Sequence, residues 1–419
     1  MVYVISQDGK PLMPCSNPIA RLLLKQGKAK VKSRKPFTIK LTYETTSYTQ
    51  DLTLGVDTGS GTIGTAVSKD NGDIVYMSEV VVRNDITDKM TRRAKYRRNR
   101  RNRKTRYRKA RWLNRKNSIQ SDRFSPTMTS KLHSHVKEIE YVKSILPIMT
   151  MVFETGQFDT HLMKKPSLAN PKVRPWGYQK GANYGFENTK AMVLNRDHYT
   201  CQYCKGKHKD SKLEVHHIVF RSQGGSDEES NLITLCHTCH KNLHSGKIQL
   251  KLNGKVKGNL KYATQMNSIR KQLFRLYPTA IETFGYVTKA NRLRLGVDKE
   301  HYYDACTIAT QGNAFNVKSN LYKKKCVPDG DFQKTKGVRS EQPITTSKIC
   351  GFRKFDKVQY FGKEYFISGR MSTGYALLTD IDGNKIDFST MLRGYKTPKL
   401  KNCKRIAARS TVMTQVKVV

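Results

Sequence analysis

The stretch HYTCQYCKGKHKDSKLEVHHIVFRSQGGSDEESNLITLCHTCHKNLHSG, residues 198–246, has the residue spacing that decides the fold of its segment. Two Cys-x-x-Cys pairs enclose a His-His pair and an Asn, and further His residues follow. The four cysteines are Cys201, Cys204, Cys236 and Cys239. Thiolates so spaced hold one structural Zn²⁺, and a zinc ribbon that only binds nucleic acid needs nothing else. That interpretation leaves four polar residues unexplained: His216, His217, Asn231 and His240.

The same segment resembles the HNH endonucleases of the zinc-stabilised kind, which have a ββα-metal fold. The matching parts are a strand at residues 214–219, a Gly224-Gly225 loop, Asn231 before the next apolar run, and a helix that begins at Cys239-His240. This order of strand, loop, Asn and helix is what a zinc ribbon alone does not require. The pattern therefore favours a nuclease over a simple nucleic-acid-binding module.

The resemblance implies a role for each matching residue. His217 corresponds to the general base that deprotonates the attacking water, and Asn231 to the residue that orients this base through backbone contacts. His216 and His240 correspond to the ligands of a catalytic Mg²⁺. His244 shares the helical face of His240 one turn later, and a supporting position beside the metal is favoured over direct ligation.

Composition indicates a polyanionic partner. The chain has 419 residues, with 78 Lys and Arg against 33 Asp and Glu, a net charge of +45. This length predicts two to four domains. No apolar run approaches the roughly 18 residues that span a bilayer, and no signal-peptide pattern is present, so we expect no membrane partner. Nine scattered or paired cysteines favour reduced thiols in a prokaryotic cytoplasm over disulfides.

The charge is concentrated between residues 92 and 116, where 15 of 25 residues are Lys or Arg. Every residue type there tolerates a helix about 37 Å long, and Asp85 or Asp88 is available to cap it. A helix with cations on all sides is stabilised by phosphates, and its Tyr96, Tyr107 and Trp112 would stack on bases or pack on a neighbouring domain. The predicted nucleic-acid contacts are Arg92, Arg93, Arg97, Arg98, Arg100, Arg101, Arg103, Arg106, Arg108 and Arg111.

Three further segments carry acids at the positions that a two-metal nuclease needs. A strand at 52–56 runs into Asp57, and two more strand-like runs follow it in a predicted meander. A second buried-type strand at 148–153 ends in Glu154. A helical segment carries His301 and Asp304 on one face. Converging carboxylates hold two Mg²⁺ ions about 4 Å apart, which activate water and stabilise the leaving oxygen.

These three segments resemble RuvC motifs I, II and III, an RNase H-like fold. The resemblance implies that Asp57, Glu154 and Asp304 are metal ligands and that His301 ligates metal or transfers a proton. A RuvC fold with an Arg-rich bridge helix after motif I and an HNH domain between motifs II and III is the plan of the IscB family. Pro11-Leu12-Met13-Pro14 also resembles the signature of that family's first domain.

IscB proteins are transposon-encoded, RNA-guided DNA endonucleases of the OMEGA systems and relatives of the type II CRISPR effectors. The resemblance implies an α/β multidomain protein with a RuvC core, an inserted HNH domain, a bridge helix and a small C-terminal β domain. The implied division is a PLMP domain at 1–50, RuvC-I at 51–85, bridge helix at 86–118, RuvC-II at 119–160, linker at 161–190, HNH with zinc ribbon at 191–247, RuvC-III at 248–316, basic RNA-contacting linker at 317–347 and β domain at 348–419.

The C-terminal residues support a small sheet by their own pattern. Alternating apolar residues from 357 to 378 are divided by turns, and a basic tail follows to residue 419. The resemblance implies that this domain reads a short duplex motif beside the target, although a purely structural role fits the pattern nearly as well.

The resemblance implies a protein monomer in complex with a long structured guide RNA, acting on double-stranded DNA. The HNH site would cut the guide-paired strand and the RuvC site the displaced strand. Two alternatives stay open. One is a protein-only HNH endonuclease, and the other is an inactive RNA-binding transposon accessory protein. The implied cofactors are Mg²⁺ at both sites and a structural Zn²⁺ at the four cysteines.

Overall fold

The computed structural model describes residues 1–101, 124–178, 180–250, 260–328, 348–392 and 394–418, with the side chains of residues 100, 101 and 222 excepted. The chain divides into two compact units. One comprises residues 1–156 together with 268–419, and the other comprises residues 157–267. The second unit is therefore inserted into the sequence of the first, between the strand that carries Glu154 and the helix that carries Asp304.

Strands and helices alternate along the described part of the chain, which is a mixed α/β protein. The strands are β1 (Val2–Ile5), β2 (Pro11–Cys15), β3 (Ala29–Arg34), β4 (Phe37–Leu41), β5 (Leu52–Asp57), β6 (Thr62–Lys69), β7 (Asp73–Val81), β8 (Thr150–Thr155), β9 (Leu213–His217), β10 (Leu232–Cys236), β11 (Ile281–Phe284), β12 (Asn316–Val317), β13 (Leu321–Cys326), β14 (Lys357–Tyr360), β15 (Lys363–Arg370), β16 (Ala376–Thr379), β17 (Lys404–Ala407) and β18 (Val412–Lys417). The α-helices are α1 (Asn17–Lys25), α2 (Ile86–Arg101), α3 (Pro126–Lys143), α4 (Thr160–Lys164), α5 (Arg174–Gly177), α6 (Thr189–Arg196), α7 (His237–His244), α8 (Lys261–Leu276), α9 (Gly285–Arg294) and α10 (His301–Ala309). None of these helices is long and apolar enough to cross a membrane.

The first unit is organised around one eight-stranded sheet. Its strand order is β11-β8-β5-β6-β7-β13-β18, with β12 also pairing with β7. Strands β5, β6 and β7 form the antiparallel meander predicted from the sequence, although β7 is one long strand rather than two short ones. Strand β8 lies parallel to β5, so both strands end at the same edge of the sheet. That edge receives the acidic side chains at the ends of these two strands.

Two glycines allow helix α10 to lie directly against this sheet. A Cβ added at Gly55 would lie 2.9 Å from the Cα atom of Ala309, and one added at Gly64 would lie 2.6 Å from the carbonyl carbon of His301. Neither strand has room for a side chain at these positions, because carbon atoms normally approach to about 3.5 Å. The close approach brings the first turn of α10 over the ends of β5 and β8.

The expectation of a basic linker over residues 317–347 is wrong for its first part. Residues 321–326, Leu-Tyr-Lys-Lys-Lys-Cys, form β13 within the central sheet, and residues 329–347 lie outside the described ranges. The basic tail also differs from expectation, since β18 returns to pair antiparallel with β13. A lysine-rich sequence misleads here because Lys324 is buried and neutralised inside the protein, with only 4% of its surface exposed.

The partner of Lys324 is a buried carboxylate on helix α3. Both Glu138 oxygens accept hydrogen bonds from Lys324 at 2.8 Å, and Glu138 Oε1 also accepts from the Tyr76 hydroxyl at 2.8 Å and from Ser78 Oγ at 2.7 Å. The Lys324 ammonium lies 4.1 Å from the centre of the Tyr141 ring. Buried charges require this degree of satisfaction, so α3 is fixed to the sheet by a polar network as well as by apolar packing.

Two smaller sheets belong to the same unit. Near the N-terminus β2-β1-β4-β3 forms a four-stranded sheet, against which α1 buries Ala20. Near the C-terminus β16-β15-β14-β17 forms another, in the region where the sequence predicted short strands. Ion pairs join the two regions. Glu364 of β15 binds Lys35, which lies between β3 and β4, and it also binds Lys357 of β14. The N- and C-terminal sheets are thereby tied to each other.

The inserted unit contains the hairpin and helix predicted around the cysteines. Strands β9 and β10 pair antiparallel, with Ile233 opposite His216. Helix α7 begins at His237, two residues earlier than expected, because Cys236 occupies its N-cap and its Sγ accepts the Cys239 N–H. The earlier start places His240 and His244 in the middle and at the end of the helix.

The arginine-rich segment begins as helix α2, whose described part ends at Arg101. Asp85 directly precedes this helix, as predicted for a cap, and it forms ion pairs with Arg83 and Lys89. Tyr96 is buried with 4% exposure, which favours packing on the protein over stacking on bases. Tyr107, Trp112 and the arginines from residue 103 onward lie outside the described residues.

Candidate functional site

The four cysteines form a buried cluster in the inserted unit. Their Sγ atoms all lie within 4.8 Å of one another, and those of Cys204 and Cys236 are 3.8 Å apart. A tetrahedron with Zn–S bonds of about 2.3 Å has S···S edges of about 3.8 Å. The cluster therefore fits one Zn²⁺ ion, in agreement with the sequence spacing.

The four thiols of the cluster differ in their electrostatics. Burial alone would raise the pKa of Cys204, but hydrogen bonds from the backbone of His208 and from the Cys201 side chain outweigh it and lower this pKa to about 6. Burial raises the pKa of Cys236 and of Cys239 in the same cluster. Because a thiolate is the form that binds zinc, binding would release protons from these thiols.

Three imidazoles form a second cluster on the face of α7. His216, His240 and His244 each offer a nitrogen within 4.8 Å of the others, and their ring centres are 4.7–5.0 Å apart. Burial, followed by the neighbouring His240 and His244, lowers the pKa of His216 to about 4. A neutral ring is the ligating form of histidine. The structure places His244 together with the two predicted ligands, which favours it as a third ligand rather than a supporting residue.

Glu214 orients this cluster and was not identified from the sequence. Its Oε2 lies 2.6 Å from Nδ1 of His240. A carboxylate that accepts the Nδ1–H proton leaves the Nε2 lone pair of the same ring for a metal. Glu214 and His216 are two residues apart on β9 and therefore point to the same face. That alternation was the signal in the sequence that could have revealed it.

His217, the predicted base, lies beside a second unpredicted acid. Its Nε2 is 2.8 Å from Oδ1 of Asp227, and Nε of Arg221 donates to the same oxygen at 2.7 Å. Hydrogen bonds from His217 and Arg221 lower the pKa of Asp227, which keeps this carboxylate ionised. Because His216 and His217 are adjacent on a strand, their rings point to opposite faces.

Asn231 is fully buried, and its side chain links two backbone positions of the loop between β9 and β10. Its Oδ1 accepts the Val219 N–H at 2.9 Å, while its Nδ2 donates to the carbonyls of Val219 at 3.1 Å and Ser226 at 2.8 Å. Gly225 packs backbone to backbone against Val219, with no space for a Cβ. Asn231 thus contacts backbone groups of this loop, and its role in orienting the base, which the resemblance implied, stays a prediction.

The predicted carboxylates come together in the first unit. Asp57 and Glu154 are directly paired across β5 and β8, and Nδ1 of His301 is 2.6 Å from Oδ2 of Asp57. Asp304 lies one turn further along α10, with Nε of Arg292 3.1 Å from its Oδ1. Residues separated by nearly 250 positions in the sequence thus meet at one edge of the sheet.

The electrostatics of this edge are those of crowded acids. Burial, followed by the charge of Asp57, raises the pKa of Glu154 to about 7. The same two causes raise the pKa of Asp304. The hydrogen bond to Asp57 raises the pKa of His301. Acids whose pKa values rise because they face one another are characteristic of sites that bind a cation.

One oxygen of this cluster supports a metal site directly. Within the described ranges, Glu154 Oε2 is buried and accepts no hydrogen bond. Asp304 Oδ1 also accepts none, but the guanidinium of Arg292 lies 3.1 Å from it and partly neutralises it. A buried carboxylate oxygen without a donor is costly unless a cation neutralises it. Carboxylate oxygens are also the donors that Mg²⁺ prefers, so these residues fit a divalent magnesium site.

The arginines of α2 are presented to solvent as far as their side chains are described. Arg92, Arg93, Arg97 and Arg98 are exposed, whereas Tyr96 is buried. This helix therefore buries Ile86 and Tyr96 and leaves these guanidinium groups on its outer surface. Such a surface suits bidentate contacts with a phosphate backbone.

Two protein-family models match the chain. The model described as RRXRR protein matches residues 2–181, and the model described as HNH endonuclease matches residues 201–246. The matched ranges cover the arginine-rich helix and the cysteine–histidine segment, respectively.

Two curated proteins are similar to short parts of the chain. Anaredoxin of Nostoc sp. is 34% identical over 70 residues, which make up 16% of this chain and 90% of that protein. The type IV methyl-directed restriction enzyme EcoKMcrA of Escherichia coli (strain K12) is 37% identical over 65 residues, which make up 14% of this chain and 23% of that enzyme.

Solved structures of Cas9 also show similarity. Streptococcus thermophilus Cas9 in complex with the AGAA PAM is 13% identical, with a TM-score of 0.33 and coverage of 61% of this chain and 32% of that chain. The complex with the AGGA PAM is 14% identical, with a TM-score of 0.30 and coverage of 45% and 26%. The chain thus spans between 26% and 32% of the length of these two Cas9 chains.

Proposed function

The chain belongs to the HNH nucleases of the IscB/Cas9 type that carry an RRXRR region, and on this basis we propose that it is an RNA-guided endonuclease that cuts both strands of DNA. One observation carries the proposal: two separate clusters of metal-binding side chains, one of imidazoles and one of carboxylates, occur in a single strongly basic chain. A nuclease for one strand needs only one of them.

In the HNH domain, His217 is the proposed general base for the cut in the guide-paired strand. His216, His240 and His244 would hold a divalent cation there, and such an ion polarises the phosphate and stabilises the leaving oxygen. Asn231 fixes the loop that directly follows His217. The four-cysteine site would hold Zn²⁺ and keep α7 next to β9.

In the proposed RNase H-like RuvC core, Asp57, Glu154 and Asp304 would hold Mg²⁺ for the cut in the displaced strand. Bound metal would activate water and neutralise charge on the scissile phosphate. His301, held against Asp57, is placed to ligate metal or to transfer a proton. Arg292 beside Asp304 limits the excess negative charge of the cluster before metal binds.

Guide RNA is the proposed main partner of the basic surfaces. The exposed arginines of α2, together with those predicted up to Arg111, would contact the RNA backbone as a bridge helix. Specificity would come from base pairing, while the protein reads heteroduplex shape. The proposed domains are those that the resemblance implies, except that residues 321–326 belong to the central sheet. The C-terminal β domain is the proposed part that contacts the target-adjacent motif.

Strand-specific nicking tests this function. The protein is purified with its bound RNA, the guide segment is sequenced, and a matching duplex is labelled separately on each strand beside randomised flanking sequence. We expect Asp57→Ala to abolish cutting of the displaced strand only, and His217→Ala to abolish cutting of the paired strand only. The controls are the exposed Asp70→Ala and His208→Ala, which leave both cuts unchanged.

Two results would contradict the proposal in different ways. Cleavage of DNA by protein that carries no RNA after a high-salt wash would favour a protein-only HNH endonuclease. RNA binding without any cutting, at saturating Mg²⁺ or Mn²⁺, would favour an inactive accessory protein. Loss of both cuts in each single variant would contradict the assignment of one site to one strand.

A further inference from the structure

The loop between β9 and β10 gives His217 an acidic neighbour that no sequence motif required. Asp227 follows the Gly224-Gly225 turn and returns to His217, with 2.8 Å between Oδ1 and Nε2. The same oxygen accepts from Nε of Arg221 at 2.7 Å. Histidine, acid and arginine thus form a three-residue contact at the end of β9.

The two donors on Asp227 determine which nitrogen of His217 carries the proton. A bare lone pair on Nε2 would face a carboxylate oxygen at 2.8 Å and be repelled, so Nε2 is protonated and donates. The N–H of Arg221 Nε has both Nε2, at 3.2 Å, and Asp227 Oδ1, at 2.7 Å, within hydrogen-bonding distance, and the shorter contact is its donation to the carboxylate. With Nε2 as the donor to Asp227, the lone pair of the imidazole in its neutral form lies on Nδ1.

The backbone holds this arrangement from both sides. Asn231 binds Val219, two residues after His217, and Ser226, the residue before Asp227. One buried amide therefore fixes the approach of the acid to the base. This contact explains how Asp227, which is 58% exposed at its side chain, is held at hydrogen-bonding distance.

We propose that Asp227 is a positioning residue that accepts the Nε2 proton of His217 and so directs Nδ1 toward the attacking water. Arg221 holds Asp227 in place. Proton transfer then runs from water to Nδ1, which leaves an imidazolium stabilised by the Asp227 carboxylate. The hydroxide forms a new P–O bond while the P–O bond to the leaving sugar oxygen breaks, and that oxygen takes up a proton from solvent water. The inference rests on the proposed function, since it concerns the cut in the guide-paired strand.

The test measures single-turnover cutting of each strand by the RNA-loaded full chain at saturating and at limiting protein. We expect Asp227→Ala to slow the paired-strand cut by about ten- to a hundredfold, as is typical when a partner that orients a histidine is lost. The protein concentration that gives half-maximal cutting and the rate of the displaced-strand cut should both stay within about twofold of the values for the unchanged protein. Asp227→Asn, which keeps an acceptor oxygen, should lie between the two. Glu187→Ala, an exposed acid of the same unit, is the charge control and should change nothing.

A spectroscopic readout separates positioning from simple folding. In full chain labelled with ¹⁵N-histidine, His217 should show the Nε2–H tautomer, and Asp227→Ala should convert it to a mixture. If His217→Ala abolishes the paired-strand cut while both Asp227 variants cut within twofold of the unchanged protein, the positioning role is overturned and the proposed function stands. If His217→Ala itself still cuts that strand, the proposed function fails instead.

Discussion

The packing of helix α10 on Gly64 leads to a prediction that distinguishes the two cuts within one molecule. The perturbation is Gly64→Ala. A Cβ there would lie 2.6 Å from the carbonyl carbon of His301 and nearer still to its oxygen, both backbone atoms that cannot rotate away. Since carbon atoms approach to about 3.5 Å, the first turn of α10 must move by roughly 0.9 Å.

That displacement acts directly on the carboxylate site. His301 begins α10 and Asp304 lies one turn further, while Asp57 is paired with Gly64 across β5 and β6. A misplacement of about 1 Å can cost about a hundredfold in rate. We therefore expect the displaced-strand cut to slow by about a hundredfold, while the paired-strand cut, which we assign by proposal to residues 201–246, keeps its rate.

Strand-resolved nicking with the RNA-loaded protein measures both rates in one reaction. Gly61→Ala is the matched control, because a Cβ at Gly61 meets no atom within 4 Å. Thermal unfolding of both variants checks that the fold is retained. A Gly64→Ala protein that cuts the displaced strand within about threefold of the Gly61→Ala rate would refute the packing argument.

Three further predictions address stability, zinc and pH. Glu138→Gln leaves the Lys324 ammonium buried without its counter-charge and should reduce the free energy of unfolding by about 3–5 kcal/mol in chemical denaturation, against little change for exposed Asp70→Asn. Cys204→Ser should lower bound zinc in elemental analysis and abolish the paired-strand cut, whereas exposed Cys350→Ser should do neither. Because the pKa of Glu154 is raised to about 7, protons compete with metal for this carboxylate below that pH. At limiting Mg²⁺ the rate of the displaced-strand cut should therefore rise as the pH increases from 6 to 8. A rate that does not change over this pH range would contradict this prediction.

The sequence was most informative where residue type alone dictates chemistry. Cysteine spacing predicted the thiol cluster, and apolar runs ending in Asp57 and Glu154 predicted adjacent strand ends. The buried-strand pattern succeeded because a parallel pair must bury both faces and so leaves a clear apolar signal. The grouping of these acids is a geometric finding, while their role in catalysis remains a prediction.

The sequence was least informative where a partner distant in the chain reverses the meaning of a residue. Residues 321–326 contain three lysines in succession and were predicted as part of a basic linker, yet they form strand β13 of the eight-stranded sheet. Only the position of Glu138, 186 residues away, makes a buried Lys324 tolerable. Asp227 was missed for the same reason, because its importance lies in its contact with His217, whereas the two-residue spacing from Glu214 to His216 was a signal that the sequence did offer.

The two candidate sites offer cations different donors, and this affects how activity must be measured. Three imidazoles favour borderline ions such as Ni²⁺ or Zn²⁺, whereas the carboxylates of the other site favour Mg²⁺. Acidification also affects them differently, since the pKa of His216 is lowered to about 4 while that of Glu154 is raised to about 7. A double-strand break reports only the slower cut under each condition. Metal and pH dependence therefore have meaning for this protein only when each strand is followed separately.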